Sequence, residues 1–224
     1  METVLVTGAD RGIGAALARQ YHARGDRVIA ACLGDGAHLV PEGLEVAPNV
    51  DVTKMASLVD LATRLGDTKI TILISNAGAF APDGWRDFNY DAMLELYNIN
   101  ALGPLRAVDA LAPLLDAGSK IGIITSRVGS LADNSSGNLY GYRMSKCAAN
   151  MLGMNLYHEL RPQGIAVMLL HPGQVATDMT RGLSDVGEFI TPEISAAGLI
   201  ERLDELHPET PPEFRHTDGT LLPW

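Results

Sequence analysis

The chain has 224 residues, of which 46% are hydrophobic and 20% are charged, values typical of one globular domain with a sizeable core. Its formal net charge of −10 argues against nucleic acid as a partner. No apolar run approaches the ~20 residues of a membrane span, no signal peptide or metal-like Cys or His spacing is visible, and two cysteines suit a reducing cytoplasm.

The predicted elements alternate between short apolar strands and amphipathic helices. Predicted strands cover residues 3–7, 27–32, a stretch just before Asp51, 70–75, 121–125, 165–170 and 213–217. Helices are predicted after Gly14, over 55–65 and 91–116, around Tyr142, and from Thr191 as N-cap with Pro192 following. Apolar strands in this order predict one doubly wound, Rossmann-type domain over residues 1–224, a parallel sheet with helices on both faces.

Three glycines join the first predicted strand to the first helix: Gly8, Gly12 and Gly14. Glycines at this point let the backbone approach a pyrophosphate, which the free N–H groups and dipole of the helix N-terminus attract. A tight turn without a ligand is the alternative interpretation. Since the glycines lie at a strand's carboxyl end, where such sheets bind their ligands, we favour a cofactor site.

Polar residues follow two further strands. Asp51 lies just past the third predicted strand, where its carboxylate can accept from the exocyclic amine of adenine or cap the segment at Thr53. Asn76, Ala77 and Gly78 follow the fourth strand and predict a sharp turn, with the Asn side chain tying neighbouring strands together. An ordinary turn is the alternative there, since Asn and Gly favour turns anyway.

Tyr142 and Lys146 lie four residues apart, so a helix places them on one face. A neighbouring cation favours the phenolate, which would let the phenol act as a general acid or base near neutral pH. Surface helices often show the same spacing. Ser126, at the end of the fifth predicted strand, can hydrogen-bond a substrate carbonyl, and Pro104 is expected to loosen the helix at Asn100, whose carbonyl could hold a relay water.

Seven motifs, in this order, make the chain similar to the short-chain dehydrogenase/reductase family from end to end. They are TGADRGIG, Asp51, Asn76-Ala77-Gly78, Asn100, Ser126, Tyr142 with Lys146, and Pro172-Gly173-x-Val175-x-Thr177. The compact length, the GYRMSK sequence and the closing DGTLLPW most resemble the branch of C-factor and Sniffer-type carbonyl reductases.

The resemblance implies an NAD(P)-dependent oxidoreductase that transfers a hydride between a nicotinamide and a small carbonyl or alcohol substrate. It implies that Tyr142 handles the proton, that Lys146 binds the nicotinamide ribose and lowers the tyrosine pKa, that Ser126 holds the carbonyl, and that Asn100 anchors a relay water. The implied cofactor-binding residues are Thr7, Gly8, Asp10, Arg11, Gly12, Ile13, Gly14, Cys32, Leu33, Asp51, Val52, Asn76, Ala77, Gly78, Tyr142, Lys146, Pro172, Gly173, Val175 and Thr177.

The choice between NAD and NADP depends on the end of the second strand. By the resemblance, NAD-dependent members have Asp where Cys32 stands, and NADP-dependent members have Arg at Leu33 or a basic residue at Arg11. Arg11 is present, while Asp10 and Asp35 would repel a phosphate. The sequence therefore favours NADP slightly.

Two other functions stay open: a non-catalytic dinucleotide-binding protein in signalling or regulation on the same fold, and a related enzyme that uses the tetrad for dehydration or epimerisation. The intact tetrad argues against the first. A short substrate lid is expected at residues 177–190, with Phe80, Leu131 and Met179 as candidate pocket walls.

The helices predicted at 91–116 and 142–160 carry more apolar surface than one sheet face can cover. Ala148, Ala149 and Gly153 would let another helix approach closely. By the resemblance we expect a homodimer or homotetramer with these helices at a two-fold interface, and a monomer is the alternative.

Overall fold

The computed structural model describes residues 1–181 and 188–224. Within them, seven parallel strands form one sheet of order β3-β2-β1-β4-β5-β6-β7. The strands are β1 Thr3–Thr7, β2 Arg27–Ala31, β3 Glu45–Ala47, β4 Ile72–Ser75, β5 Lys120–Ile124, β6 Ala166–His171 and β7 Phe214–His216. The order reverses beside β1, which places the carboxyl ends of β1 and β4 at the point where such sheets bind ligands.

Helices pack on both faces of the sheet. They are α1 Gly12–Ala23, α2 Met55–Leu65, α3 Tyr90–Tyr97, α4 Gly103–Leu111, α5 Tyr140–Leu160 and α6 Pro192–Glu205. Short 3₁₀ segments cover Ala37–Glu42, Ala112–Leu114, Arg127–Gly129, Arg161–Gln163 and Asp178–Thr180.

Two apolar cores lie on opposite faces of the sheet because side chains alternate along each strand. Leu5 points to the core that α2, α4 and α5 cover, whereas Val4 and Val6 point to the core that α1 and α6 cover. The predicted fold class, a parallel sheet covered on both faces, is confirmed.

The third strand differs from the prediction. We expected this strand directly before Asp51, yet β3 lies earlier in the chain, at Glu45–Ala47. Three residues are too few to show an apolar period, and pairing with β2, which places Val46 beside Ala30, determines this strand. Asp51 consequently lies four residues beyond its end.

The helix predicted at 91–116 is four consecutive segments, of which the last is the 3₁₀ turn Ala112–Leu114. A π-helical turn, Asn98–Leu102, separates α3 from α4, and Pro104 stands in the first turn of α4. A proline inside a regular helix removes one hydrogen bond and clashes with the carbonyl four residues earlier, which the wider turn relieves. The predicted loosening of the backbone at Asn100 is therefore confirmed.

The small residues Ala149 and Gly153 of α5 pack against the sheet of the same chain. A Cβ atom added at Gly153 would lie 2.6 Å from Leu169 of β6, and Ala149 is fully buried. Our expectation that Ala149 and Gly153 allow another helix to approach was therefore wrong. Close packing of α5 on β6 needs them instead.

None of the helices in the part of the chain that the structure describes combines the length and hydrophobicity needed to cross a bilayer.

Candidate active site

A cleft of about 1070 Å³ opens at the carboxyl ends of the strands. Single small-molecule sites span roughly 300–1,000 Å³, so this cleft has room for an extended ligand or for two ligands side by side. The predicted cofactor residues that line it are Gly8, Asp10, Arg11, Gly12, Ile13, Gly14, Leu33, Asp51, Val52, Asn76, Ala77, Gly78, Tyr142, Lys146, Pro172 and Thr177.

Four predicted cofactor residues, Thr7, Cys32, Gly173 and Val175, do not line the cleft. Cys32 lies one residue beyond β2 and is fully buried in the core, with its Sγ 3.5 Å from the Ala30 carbonyl oxygen. Leu33, the next residue, is exposed and lines the cleft in its place.

The glycine-rich loop packs tightly against the end of β4. Gly8 has a φ of +65°, and a Cβ there would lie 2.8 Å from the Cα of Ala77. A Cβ at Gly14 would lie 2.2 Å from the Gly8 carbonyl oxygen. At the start of α1, Arg11 makes no side-chain cap and the first turn has no acidic residue. The first N–H groups of the helix therefore stay available to an anion.

Asn76 fastens this loop to the sheet. Its Nδ2 donates to the Thr7 carbonyl at 3.0 Å and to the Gly8 carbonyl at 3.1 Å. In return, the Thr7 hydroxyl accepts from the backbone N–H groups of Asn76 at 3.1 Å and Ala77 at 3.2 Å. The predicted tie between the ends of β1 and β4 is confirmed, and it explains how buried Thr7 supports the cleft without lining it.

Asp51 caps the segment at Thr53, which was the alternative to a contact with adenine, but it is not the N-cap residue of α2. Its Oδ1 accepts from the Thr53 N–H at 2.9 Å and the Thr53 hydroxyl at 2.6 Å, and its Oδ2 lies 2.9 Å from the Lys54 Nζ. The hydrogen bond from the Thr53 hydroxyl is the main cause that lowers the pKa of Asp51. The N-cap residue of α2 is Lys54, so the carboxylate stays at the cleft wall beside Val52.

Tyr142 and Lys146 lie on the same face of α5 and both line the cleft. The Lys146 side chain is only 4% exposed, and its Nζ donates to the Ile124 carbonyl at 3.0 Å and lies 5.8 Å from the centre of the Tyr142 ring. Phe80 packs edge-on against Tyr142, with ring centres 5.1 Å apart.

Burial dominates the protonation of this pair. It lowers the pKa of Lys146 to about 8 and raises the pKa of Tyr142 to about 12, while a hydrogen bond with the Ser126 side chain acts on the phenol in the opposite direction. The expected lowering of the tyrosine pKa by Lys146 is therefore not found. Desolvation of the phenolate outweighs any attraction to an ammonium that points at the end of β5.

Ser126 and Asn100 are both buried close to the pair. Ser126 lies two residues beyond β5, and its Oγ accepts from the Val128 N–H at 3.4 Å. The Asn100 side chain exchanges hydrogen bonds with Ala79, at 2.8 and 2.9 Å, and donates to the Ser145 hydroxyl at 3.0 Å. Asn100 thus joins the loop after β4 to α5.

Gly78 marks the point where two of these polar groups meet. A Cβ added there would lie 3.3 Å from the Asn100 Oδ1 and 3.6 Å from the Lys146 Nζ. The structure therefore brings all four predicted catalytic residues together around Gly78 and Tyr142. Tyr142 and Lys146 line the cleft, whereas Asn100 and Ser126 lie behind its surface.

Sequence reasoning missed Asp83. The residue before α5, Leu139, has a φ of +54° and provides no side-chain cap. Asp83 supplies the cap from the loop after β4, because its carboxylate accepts from the backbone N–H groups of Tyr140 and, at 2.9 Å, Gly141. These partners are 57 and 58 residues away in sequence, so no local pattern could have indicated them.

The three residues predicted as pocket walls lie in two different cavities. Phe80 and Met179 line the cleft, whereas Leu131 lines another cavity, of about 410 Å³, with Met144 and Met151 on the outer side of α5. The expected lid at 177–190 falls partly on residues 182–187, which lie outside the described residues. Among the described residues, no group of three or more His, Cys, Asp or Glu is placed to hold a metal ion.

A glycine loop against a helix N-terminus, together with a Tyr–Lys pair in the same cleft at the carboxyl edge of a parallel sheet, defines a class of protein: a Rossmann-fold oxidoreductase. Comparison with known proteins gives the family. The profile of the short chain dehydrogenase family matches residues 2–186. The chain belongs to that family and is an oxidoreductase.

Two relatives and one solved structure are particularly similar. The 1-hydroxy-2-glutathionyl-2-methyl-3-butene dehydrogenase of Rhodococcus sp. (strain AD45) is 51% identical over 226 residues, covering 100% of each chain. The C-signal of Myxococcus xanthus is 40% identical over 168 residues, which are 73% of this chain and 98% of that protein. The NADPH-bound carbonyl reductase from chicken fatty liver superposes with a TM-score of 0.90 at 30% identity, over 100% of this chain and 99% of that one.

Proposed function

We propose that this chain interconverts an alcohol and a carbonyl compound with a nicotinamide dinucleotide, and that Tyr142 gives or takes the proton. The observation that carries this proposal is the buried Lys146 beside half-buried Tyr142, both of which line a glycine-lined cleft. Family membership supports it, since similar structures include a reductase with bound NADPH and a short-chain dehydrogenase/reductase from Burkholderia multivorans with bound NADP.

The residues in the cleft fit such a cofactor. Gly8 and Gly12 let the backbone approach a pyrophosphate at the start of α1, and Asp51 is available to an adenine amine. Lys146 would hold the nicotinamide ribose, and Thr177, which lines the cleft beyond β6, would contact the nicotinamide amide. When bound, the nicotinamide supplies or accepts the hydride.

The chain's own residues would then handle the proton. With a pKa of about 12, Tyr142 is protonated at neutral pH and can donate to a carbonyl oxygen as it becomes an alcohol. Ser126, a hydrogen-bond partner of the phenol, would hold the same oxygen. Oxidation needs the reverse transfer, for which the ammonium of Lys146 must favour the phenolate once substrate and cofactor are in place.

Asn100 would act through its backbone. Its side-chain oxygen and nitrogen already bond Ala79 and Ser145. The π-helical turn that contains Asn100 widens the backbone there, so its carbonyl is the group we propose to hold a water that relays protons from Lys146 to solvent.

The substrate class is proposed from the Rhodococcus relative, whose name describes an alcohol that carries a glutathionyl group on the neighbouring carbon. Its 51% identity over the full length of both chains favours a thioether alcohol over a simple ketone. A small carbonyl compound, as in the carbonyl reductases of similar structure, is the second candidate.

A role without catalysis is the alternative, because the C-signal of Myxococcus xanthus is named for signalling. The buried lysine speaks against it. An ammonium that is only 4% exposed lowers stability, and a protein without catalytic function would have no reason to keep it beside a tyrosine.

A thermal-shift screen with NAD, NADH, NADP and NADPH tests cofactor binding, since a ligand specific to the folded state raises the melting temperature. Turnover is then measured with S-(2-hydroxyethyl)glutathione, with 2-(methylthio)ethanol as the same alcohol without the peptide, and with a panel of simple aldehydes and ketones. Preference for the glutathione conjugate supports the proposed substrate class. Binding of a dinucleotide without turnover of any of these would support the signalling alternative.

A further inference from the structure

Asp10 of the glycine-rich loop reaches across to the end of β2. One oxygen of its carboxylate accepts from the Leu33 N–H at 2.8 Å and the other from the Gly34 N–H at 2.9 Å. The backbone carbonyl of Asp10 also lies 2.8 Å from the Nε2 of His38. The loop after β2 is therefore folded onto this aspartate, which lines the cleft together with Leu33 and Gly34.

This contact places a carboxylate where Rossmann-type sites normally recognise the adenosine ribose. In such sites an acidic residue at the end of the second strand bonds the ribose 2′-hydroxyl. Here Cys32, at the corresponding place after β2, is fully buried and has no acceptor to offer the cleft. Asp10 delivers the missing carboxylate from the first loop instead.

The geometry points to Asp10 as the residue that selects the cofactor: we propose that it accepts the ribose 2′-hydroxyl of NAD(H) and excludes the 2′-phosphate of NADP(H). This inference rests on the proposed function and deepens it. An ionised carboxylate has about four acceptor positions, and the two backbone amides use two of them. The rest can accept from a hydroxyl.

A 2′-phosphate would meet a different environment at this place. The amides that it could use, those of Leu33 and Gly34, are already bonded to Asp10, and the carboxylate would repel it. Among the described residues that line the cleft, the cations are Arg11 and Lys146.

Arg11 is the residue whose positive charge favoured NADP in the sequence, but its surroundings in the structure make it a poor phosphate site. Lys146 lies at the other end of the cleft beside Tyr142, so Arg11 alone would have to bind the phosphate. Arg11 is exposed and follows directly on the carboxylate of Asp10. A single cation next to an acid that is already fixed in place does not make a phosphate site.

Isothermal titration of NADH and NADPH into native protein, Asp10→Asn, Asp10→Ser and Asp35→Asn tests the inference. Asp35 is the matched control, because its carboxylate lies in the same loop and bonds only the nearby Ala37 N–H, at 3.1 Å, among the described residues. We expect native protein to bind NADH at least ~10-fold more tightly than NADPH, the scale of a hydrogen bond to a charged group.

Either Asp10 variant should reduce this ratio at least ~10-fold, whereas Asp35→Asn should change it by less than about threefold, the scale of a screened surface charge. Tighter binding of NADPH by native protein overturns the inference. So does a ratio that Asp10 variants leave unchanged, or that Asp35→Asn shifts equally. If neither dinucleotide binds native protein, the proposed function itself fails, which the other outcomes leave intact.

Discussion

Lys146 is an ionisable side chain in a buried environment, where the charged form is destabilised. It is only 4% exposed and its Nζ has the Ile124 carbonyl as its bonded partner. A buried ammonium without a carboxylate beside it destabilises the folded state, as its lowered pKa of about 8 records. This destabilising charge lies beside Tyr142, and both side chains line the cleft.

Tyr142→Phe tests the chemical role directly. Removing the hydroxyl removes the proposed proton donor, so turnover should fall at least ~100-fold while dinucleotide affinity stays within about threefold. Tyr140→Phe is the matched control, since Tyr140 lies on the same helix but packs with Trp85 and Phe88. The control should keep turnover within about threefold. Substantial activity of Tyr142→Phe on any accepted carbonyl would contradict the assignment.

Lys146→Met should stabilise the cofactor-free protein while abolishing turnover. The shift of the Lys146 pKa from 10.5 to about 8 corresponds to a penalty of about 3 kcal/mol at pH 7. The lost hydrogen bond to the Ile124 carbonyl offsets about 1 kcal/mol of the gain. Urea denaturation at pH 7 should therefore show a free energy of unfolding higher by about 2 kcal/mol.

The sign of the pH dependence follows from the same shift. Below about pH 8 the lysine is protonated in both states, and the full penalty applies. Between about pH 8 and 10.5 the unfolded chain holds more protons, so the stability of native protein rises with pH. The advantage of Lys146→Met should disappear across that window. A variant less stable than native protein at pH 7 would show that the ammonium is not penalised.

At the level of elements, α5, which carries Tyr142 and Lys146, depends on a loop distant in sequence. Asp83, between β4 and α3, bonds the first two N–H groups of α5, and the backbone carbonyl of Asp83 accepts from the Leu139 N–H at 3.1 Å. Tyr142 is the third residue of that helix. The position of the Tyr142 phenol in the cleft is thus determined by the bonds of Asp83, in the loop after β4, and by the packing of α5 on β6.

Asp83→Ala should lower both stability and activity. Loss of an N-cap carboxylate lowers the free energy of unfolding by about 1–2 kcal/mol. It also loosens the first turn of α5, which contains Tyr142. We expect kcat to fall by about tenfold with little change in dinucleotide affinity. Asp87→Ala, which removes an exposed acid from the same loop, is the control and should change neither quantity measurably. Equal effects of the two substitutions would contradict the capping role of Asp83.

Sequence patterns within a few residues correctly predicted the elements whose formation depends on neighbouring residues. Apolar periods placed six strands within a few residues and the helices α1, α2, α5 and α6, and Thr191 caps α6 by accepting from the Ile194 N–H at 3.3 Å. Short β3 was misplaced because pairing with β2, not its own sequence, makes it a strand.

The same distinction holds in the site. The turns at the glycines of the first loop and at Asn76 were predictable because residues adjacent in sequence determine each of them. The contacts of Asp10 with Leu33 and of Asp83 with Tyr140 join residues 23 and 57 apart, so only the fold reveals them. The pKa of Tyr142 was predicted in the wrong direction because burial, which spacing does not report, outweighs the neighbouring charge.

On the scale of the whole molecule, the neighbouring helices α3 and α5 form a side of the protein that carries exposed apolar side chains. Leu94 and Tyr97 of α3 and Met144 and Met151 of α5 are 44% to 68% exposed, and α3 packs beside α5. Leu105 of α4 is also exposed. Apolar patches of this kind mark contact sites between proteins. The two helices that carry most of it are ones we expected at a two-fold interface.

We therefore predict that the chain forms a homodimer, or a tetramer built from it, through this side. Light scattering at micromolar concentration should give at least twice the 23.9 kDa of one chain. Met151→Lys would place two like charges near the two-fold axis and should shift the assembly to monomers, because a self-complementary contact repeats every substitution. Ile194→Lys, at an exposed apolar residue of α6 on the opposite face of the sheet, should leave the mass unchanged. A native mass near 23.9 kDa that does not change on concentrating would refute the dimer and leave the exposed methionines as surface of a monomer.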